Sequence, residues 1–160
     1  IAVDGNGNVY IGGDSNISWG NPLRAYTDGD DAFVAKISAA TFADVPVTHS
    51  AYTWIERLYA SGITGGCGTN PLIYCPANQV TRAQMAIFLL RGKHGSSYVP
   101  PAASGTMFGD VPSSHPQAAW IEQLASEGIT GGCGGGNYCP DDSVTRAEMA
   151  VFLVRAFNLP

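Results

Sequence analysis

The chain has 160 residues, 13 acidic and 8 basic, for a formal net charge of −5 and a pI near 4.9. That balance argues against a general nucleic-acid binder, which needs a basic face, and no apolar run reaches the roughly 20 residues that span a bilayer. Only 13% of the residues are charged, about half the usual share, while 20 glycines and 10 prolines stop short of a disordered composition.

The first 38 residues read as all-β. Ile1-Ala2-Val3 and Asn8-Val9-Tyr10-Ile11 flank Asp4-Gly5-Asn6-Gly7, a hairpin-type turn, and Asp31-Ala32-Phe33-Val34-Ala35-Lys36-Ile37 reads as a further strand. Ile1 falls inside a strand, so the chain is expected to be a piece or a processed product of something longer. The Asp4–Asn8 run hints at calcium, but an EF-hand needs glycine at its sixth position and glutamate at its twelfth. Val9 and Ser15 stand there, so that reading fails and a turn remains. Asp28, Asp30 and Asp31 stay open as a weak calcium site.

From residue 42 the chain repeats itself. Phe42-Ala43-Asp44-Val45-Pro46 returns as Phe108-Gly109-Asp110-Val111-Pro112, His49 as His115, and Trp54-Ile55-Glu56 as Trp120-Ile121-Glu122. Gly62-Ile63-Thr64-Gly65-Gly66-Cys67-Gly68 returns unchanged at 128–134. Thr81-Arg82-Ala83-Gln84-Met85-Ala86 matches Thr145-Arg146-Ala147-Glu148-Met149-Ala150. Such self-similarity defines two units, 42–94 and 108–160.

Each unit reads as helix, loop, helix. Ala51, Trp54, Ile55, Leu58 and Tyr59 fall on one helical face, which places Trp54 and Trp120 in the core rather than on a ligand. Gly62 and Gly128 sit where a left-handed residue closes a helix. Thr81 with Gln84, and Thr145 with Glu148, have the capping-box pattern. His49 and His115 are read as supports for a helix start, and Glu56 and Glu122 as solvated helix-face residues. Asp44 and Asp110 precede a helix and read as turn-formers or as ion-pair partners of Arg82 and Arg146. Residues 95–107, with Pro100-Pro101, read as an extended linker.

Four cysteines allow three pairings. Repeat symmetry and closeness favour Cys67–Cys75 and Cys133–Cys139, each a structural staple for a thin core. A four-cysteine zinc site would want tighter, C-x-x-C-like spacing, so no metal is expected. Disulfides imply an oxidising, extracytoplasmic location.

The run Phe-x-Asp-Val, a helix holding Trp-Ile, Gly-Ile-Thr-Gly and Thr-Arg-Ala-Glu/Gln-Met-Ala resembles the S-layer homology repeat, in both units. The N-terminal pattern from Ile1 to Ile37 is similar to one bacterial β-propeller repeat. The fold class expected is α+β: a short β segment at 1–38, then two helix-loop-helix units. The resemblance implies a non-catalytic, extracellular anchor at the bacterial surface, without cofactor. Its expected partner is a secondary cell-wall polysaccharide, pyruvylated in some cases, or a peptidoglycan-linked polymer. Three such repeats usually pack as a pseudo-threefold prism with ligand grooves between neighbours. By matched motif, Asp44, Arg82, Asp110, Arg146, Trp54 and Trp120 would line those grooves.

The chemistry suits an acidic sugar. A guanidinium fork pairs with a carboxylate in a bidentate way, and Arg82 and Arg146 stand in a first helical turn. Two departures from the family pattern stand out: only two repeats are present, and Gln84 replaces the usual glutamate. The alternative function is a structural subunit of a surface layer or filament, a homo-oligomer joined by strand pairing and repeat contacts. No nucleophile elbow, metal-ligand cluster or phosphate loop argues for an enzyme.

Overall fold

The computed structural model describes residues 1–3, 9–15, 31–37 and 40–160. It divides into two compact units, Ile1–Thr41 and Phe42–Pro160. The architecture is mixed, with small antiparallel sheets and four helices among the described residues, in keeping with an α+β class.

The first unit holds β1 (Ala2–Val3), β2 (Val9–Ser15) and β3 (Asp31–Ile37), antiparallel in the order β1-β2-β3. Ala2 pairs with Tyr10, and Gly12 with Val34. Along β3, Ala32 and Val34 are exposed while Phe33 and Ala35 are half-buried, the period of two expected of a one-sided sheet. The Asp4–Gly7 turn, Asp28 and Asp30 lie outside the described residues, as does the side chain of Asp31.

The second unit holds α1 (Tyr52–Ala60), a two-stranded ribbon of β4 (Gly68–Thr69) and β5 (Leu72–Ile73), then α2 (Arg82–His94), α3 (Ala118–Ser126) and α4 (Arg146–Phe157). Both capping boxes form. Thr81 Oγ1 accepts from the Gln84 amide at 3.2 Å while Gln84 Oε1 accepts from the Thr81 amide at 3.0 Å. Thr145 and Glu148 do the same at 3.2 and 2.9 Å. Gly62 and Gly128 close α1 and α3 with φ of 72° and 71°. Cys67–Cys75 and Cys133–Cys139 are both bonded, as repeat symmetry suggested.

The helices are shared between repeats. α2 belongs to the first repeat by sequence, yet it packs on α3 and α4 of the second. The main core gathers Met85, Ala86, Leu89 and Leu90 of α2 against Ile121, Leu124, Ile129, Tyr138 and Phe152. A separate small cluster of Phe42, Val45 and Ile55 supports α1. Without a helix laid over it, α1 buries only Ile55, and Trp54 is 68% exposed beside Arg57. The amphipathic pattern that placed Trp54 in the core is covered in part, since Phe42 and Val45 bury Ile55 and Phe42 meets Tyr59 edge-on, while Trp54 stays open. Trp120, its counterpart, is half-buried under the Arg91 guanidinium and the Tyr98 ring.

Residues 95–107 are bound to the fold rather than a free spacer. Tyr98 stacks on His94 and meets Trp120 edge-on, and Pro100 is buried. Glu122 accepts from the amides of Ser104 and Gly105, both at 2.7 Å, and from the Ser104 hydroxyl at 3.0 Å. It is therefore a linker clamp and not a solvated helix residue.

Candidate functional site

Three devices build the site between the repeats. The first is the aspartate clamp. Asp110 accepts from the amides of Tyr138 (2.8 Å) and Cys139 (2.7 Å), one on each oxygen. Asp44 does the same for Tyr74 (2.8 Å) and Cys75 (2.7 Å). Cys75 and Cys139 hold φ of 57° and 59°, a left-handed conformation unfavourable for a side-chain-bearing residue. The clamp and the disulfide together hold that turn. The Tyr74 amide, against some burial, keeps the Asp44 carboxyl below its ordinary value. Burial works against the Asp110 anion, but the Tyr138 and Cys139 amides outweigh it and lower that carboxyl too. Neither aspartate pairs with an arginine; among the described residues the arginine ion pair is Arg82 with Glu148.

The second device is the Ile-Thr-Gly-Gly turn. Thr130 Oγ1 accepts from the Gly132 amide at 3.1 Å, and Thr64 repeats this with Gly66. At Gly132, φ is 85° and a Cβ would sit 2.2 Å from the Asn137 carbonyl oxygen, so only glycine fits. Arg155 reaches the Ile129 carbonyl from α4 at 3.4 Å, and Arg91 reaches Ile63 at 3.3 Å. His49 and His115 accept from the amides of Ala51 and Gln117, which supports the helix starts as read from the sequence.

The third is the joint between α2 and the second repeat. The first amides of α2 lack intrahelical partners; those of Arg82 and Ala83 donate to the carbonyls of Asp142 (2.9 Å) and Pro140 (3.0 Å). The Arg82 side chain is 4% exposed. Its Nε donates to the Tyr138 carbonyl at 2.8 Å and a terminal nitrogen to Glu148 Oε1 at 2.5 Å. The guanidinium also lies over the Tyr138 and Phe152 rings, at 5.0 and 5.4 Å. Tyr138 is fully buried, donates its hydroxyl to the Arg82 carbonyl at 2.7 Å, and has its phenol pKa pushed far up by burial. Glu148 serves twice, capping Thr145 and pairing Arg82. The Thr145 amide, then its hydroxyl, then Arg82 lower its pKa.

These parts enclose a groove of about 240 Å³ whose lining includes Arg82, Thr130, Gly131, Gly132, Glu148 and Arg155. Of its charged lining residues, Arg82 is buried and paired with Glu148, which leaves the exposed Arg155 as the accessible cation on an acidic chain. Of the residues expected to line grooves, Arg82 is brought here. Arg146 is exposed on the outer side of α4, in a separate hollow of about 400 Å³. Asp44 and Asp110 are loop clamps outside the groove lining, and neither tryptophan lines it. Arg155 and Thr130 also line the groove, outside the motifs that mark the expected site residues. Their signal was present, since Arg91 and Thr64 are their repeat counterparts.

Residues 108–150 match the S-layer homology domain. That places an S-layer homology domain on α3, the disulfide loop, the Ile-Thr-Gly-Gly turn and the first turns of α4. The chain is 31% identical over 108 residues to a cellulosome-anchoring protein of Acetivibrio thermocellus, covering 67% of this chain and 22% of that protein. It is 39% identical over 61 residues to the S-layer protein EA1 of Bacillus anthracis, covering 38% of this chain and 7% of that protein. It is also 28% identical over 124 residues to an endoglucanase of Bacillus sp. strain KSM-635, covering 78% of this chain and 12% of that protein. The chain thus spans less than a quarter of the length of these relatives.

Proposed function

We propose that this chain is a non-catalytic module that anchors a protein at the bacterial cell surface. Its groove between the two repeats takes an acidic segment of a secondary cell-wall polysaccharide or of a peptidoglycan-linked polymer. The observation that carries this is the exposed Arg155 in one groove with the Thr130–Gly132 turn and the Arg82–Glu148 pair, beside the S-layer homology match. A sugar carboxylate, such as a pyruvate ketal, meets the exposed Arg155 there, with the buried Arg82–Glu148 pair behind it. The names of the S-layer and cellulosome-anchoring relatives support the anchoring role. We extend the S-layer homology assignment to residues 42–94, because the first unit repeats the aspartate clamp, the threonine turn and the capping box. Asp44 and Asp110 act as positioning residues that hold the loop carrying Tyr138 or Tyr74. The three N-terminal strands fit one propeller-type repeat. No described helix is long and apolar enough to cross a membrane, and two disulfides suit an extracellular setting.

The test is co-sedimentation of the oxidised chain with wall sacculi, before and after acid removal of secondary polymer. Binding is expected only before stripping. Arg155→Glu, at an exposed position, is expected to weaken it about tenfold, the scale of one charge-assisted hydrogen bond. Equal binding to stripped sacculi, or an unaffected Arg155→Glu variant, overturns the reading.

A further inference from the structure

The Cys133–Cys139 disulfide stands next to the groove and ties two of its parts together. Cys133 follows Gly132, which lines the groove. Cys139 lies between Tyr138 and Pro140. The Tyr138 carbonyl accepts from Arg82 Nε at 2.8 Å, and the Pro140 carbonyl accepts from the Ala83 amide at 3.0 Å. The bridge therefore joins the groove turn to the two carbonyls that seat the start of α2. Cys139 itself holds φ of 59°, a conformation that a side-chain-bearing residue leaves once its holds weaken. Those holds are the bridge and the Asp110 carboxylate on its amide.

The loop that this bridge closes has little else to keep its shape. Gly134, Gly135 and Gly136 are all exposed, and a Cβ on any of them would meet open space. Its backbone bonds run from Cys133 to Asn137, from Asn137 to Gly134, and from Gly109 to Gly136. Ordering three glycines costs more chain entropy than ordering any other three residues. The first repeat is built differently between its cysteines. There β4 pairs with β5, and Leu72 packs on the small cluster of Phe42, Val45 and Ile55. Cys67 and Cys133 are both exposed, so a thiol reaches either bridge. What separates the two is the state that follows opening. The ribbon keeps Cys67 and Cys75 side by side and favours reclosure, whereas the glycine loop lets Cys133 and Cys139 drift apart.

We propose that Cys133–Cys139 is a thiol-responsive latch on the groove, and that a dithiol reductant opens it while Cys67–Cys75 stays closed. The thiolate of the dithiol attacks the exposed Cys133 sulfur, which forms a mixed disulfide and releases the Cys139 thiolate. The second thiol of the reductant then displaces Cys133. Two electrons pass to the protein, the reductant leaves as its cyclic disulfide, and both cysteines take protons from solvent. Cys139 then relaxes from its left-handed conformation and carries the Tyr138 and Pro140 carbonyls with it. Arg82 and the first turn of α2 lose their seats, and the groove loses its shape. The effect on polymer binding rests on the groove reading above; the opening of the joint does not.

The test titrates the oxidised full chain with dithiothreitol, traps free thiols with iodoacetamide and locates them by peptide mass spectrometry. Cys133 and Cys139 are expected to be alkylated at roughly tenfold less dithiol than Cys67 and Cys75. Where that bridge alone is open, hydrogen exchange at the Arg82 and Ala83 amides should quicken about tenfold, with α3 still protected. Sacculus binding should fall about tenfold, and reoxidation with glutathione disulfide should restore it. Cys133→Ser with Cys139→Ser is expected to bind weakly at every dithiol concentration. Cys67→Ser with Cys75→Ser should keep the dithiol response, and it carries the test if the first pair fails to fold. Opening of Cys67–Cys75 first overturns the proposal. So do unchanged exchange at Arg82 and Ala83 in the alkylated chain, loss of protection in α3 together with α2, and binding that survives reduction. An oxidised chain that binds no sacculi overturns the groove reading alone, because the alkylation and exchange measurements need no polymer.

Discussion

Arg82 and Glu148 stand 66 positions apart in the chain and meet at 2.5 Å across the joint between the repeats. They occupy nearly the same place in two copies of one motif, yet their arginines live in opposite surroundings. Arg82 is buried under two aromatic rings, while Arg146 is exposed.

That contrast gives the first prediction. Arg82→Ala is expected to cost about 2–4 kcal/mol, toward the scale of a broken buried ion pair. Glu148→Gln keeps the cap but leaves Arg82 with a neutral acceptor; because Glu148 is 38% exposed, the cost is expected nearer 1–2 kcal/mol. Arg146→Ala is expected within about 0.5 kcal/mol of wild type. Urea titration of the three variants checks the order. Equal losses for Arg82→Ala and Arg146→Ala would contradict the asymmetric packing.

Much of this was legible in the sequence, for local reasons. A capping box, a left-handed glycine and a short disulfide loop each depend on a few adjacent residues. The repeat alignment then fixes them twice. The mate of each helix was not legible. The spacing of Ala51, Trp54, Ile55 and Leu58 says that a face exists, but no local signal tells which helix covers it. α2 crosses to the second repeat, so the same pattern buries Leu124 fully and Trp120 by half, and leaves Leu58 half-buried and Trp54 bare. The partners of Asp110 were not legible either, because they are amides 28 and 29 residues away.

The aspartate clamp makes stability depend on acid. Asp44, Asp110, Glu122, Glu127 and Glu148 all have folded pKa values below their ordinary ones. A lowered folded pKa means that the unfolded chain binds the proton first as pH falls. Stability is then complete at neutral pH. It declines as pH passes down through the ordinary carboxylate range near 4 and on through the lower folded values. Asp110→Asn leaves one of two amides facing a donor, and is expected to lower the melting temperature at pH 7 by roughly 5 °C, the scale of about 1 kcal/mol in a unit of this size. The same variant should lose less than wild type between pH 6 and about pH 3. Melting curves across that range decide it; a variant with undiminished acid sensitivity would mean that Asp110 is not one of the titrating supports.

Glu122 gives the last prediction. Partial burial opposes its charge, but the Ser104 and Gly105 amides and the Ser104 hydroxyl hold it ionised, and in doing so fasten the segment that joins the repeats. Glu122→Gln can offer only one oxygen to these donors, and Glu122→Ala offers none. The segment's other holds, Tyr98 against His94 and Trp120 and the burial of Pro100, remain in place. Loosening is therefore expected to be local: hydrogen exchange at Ser104 and Gly105 should quicken about tenfold or more in Glu122→Ala, the equivalent of some 1.4 kcal/mol of local opening. Amides in α2 should keep their protection, because its own contacts with α3 and α4 do not pass through Glu122. If α2 loosened together with residues 104 and 105, the linker clamp would be part of the joint itself rather than a fastening laid over it.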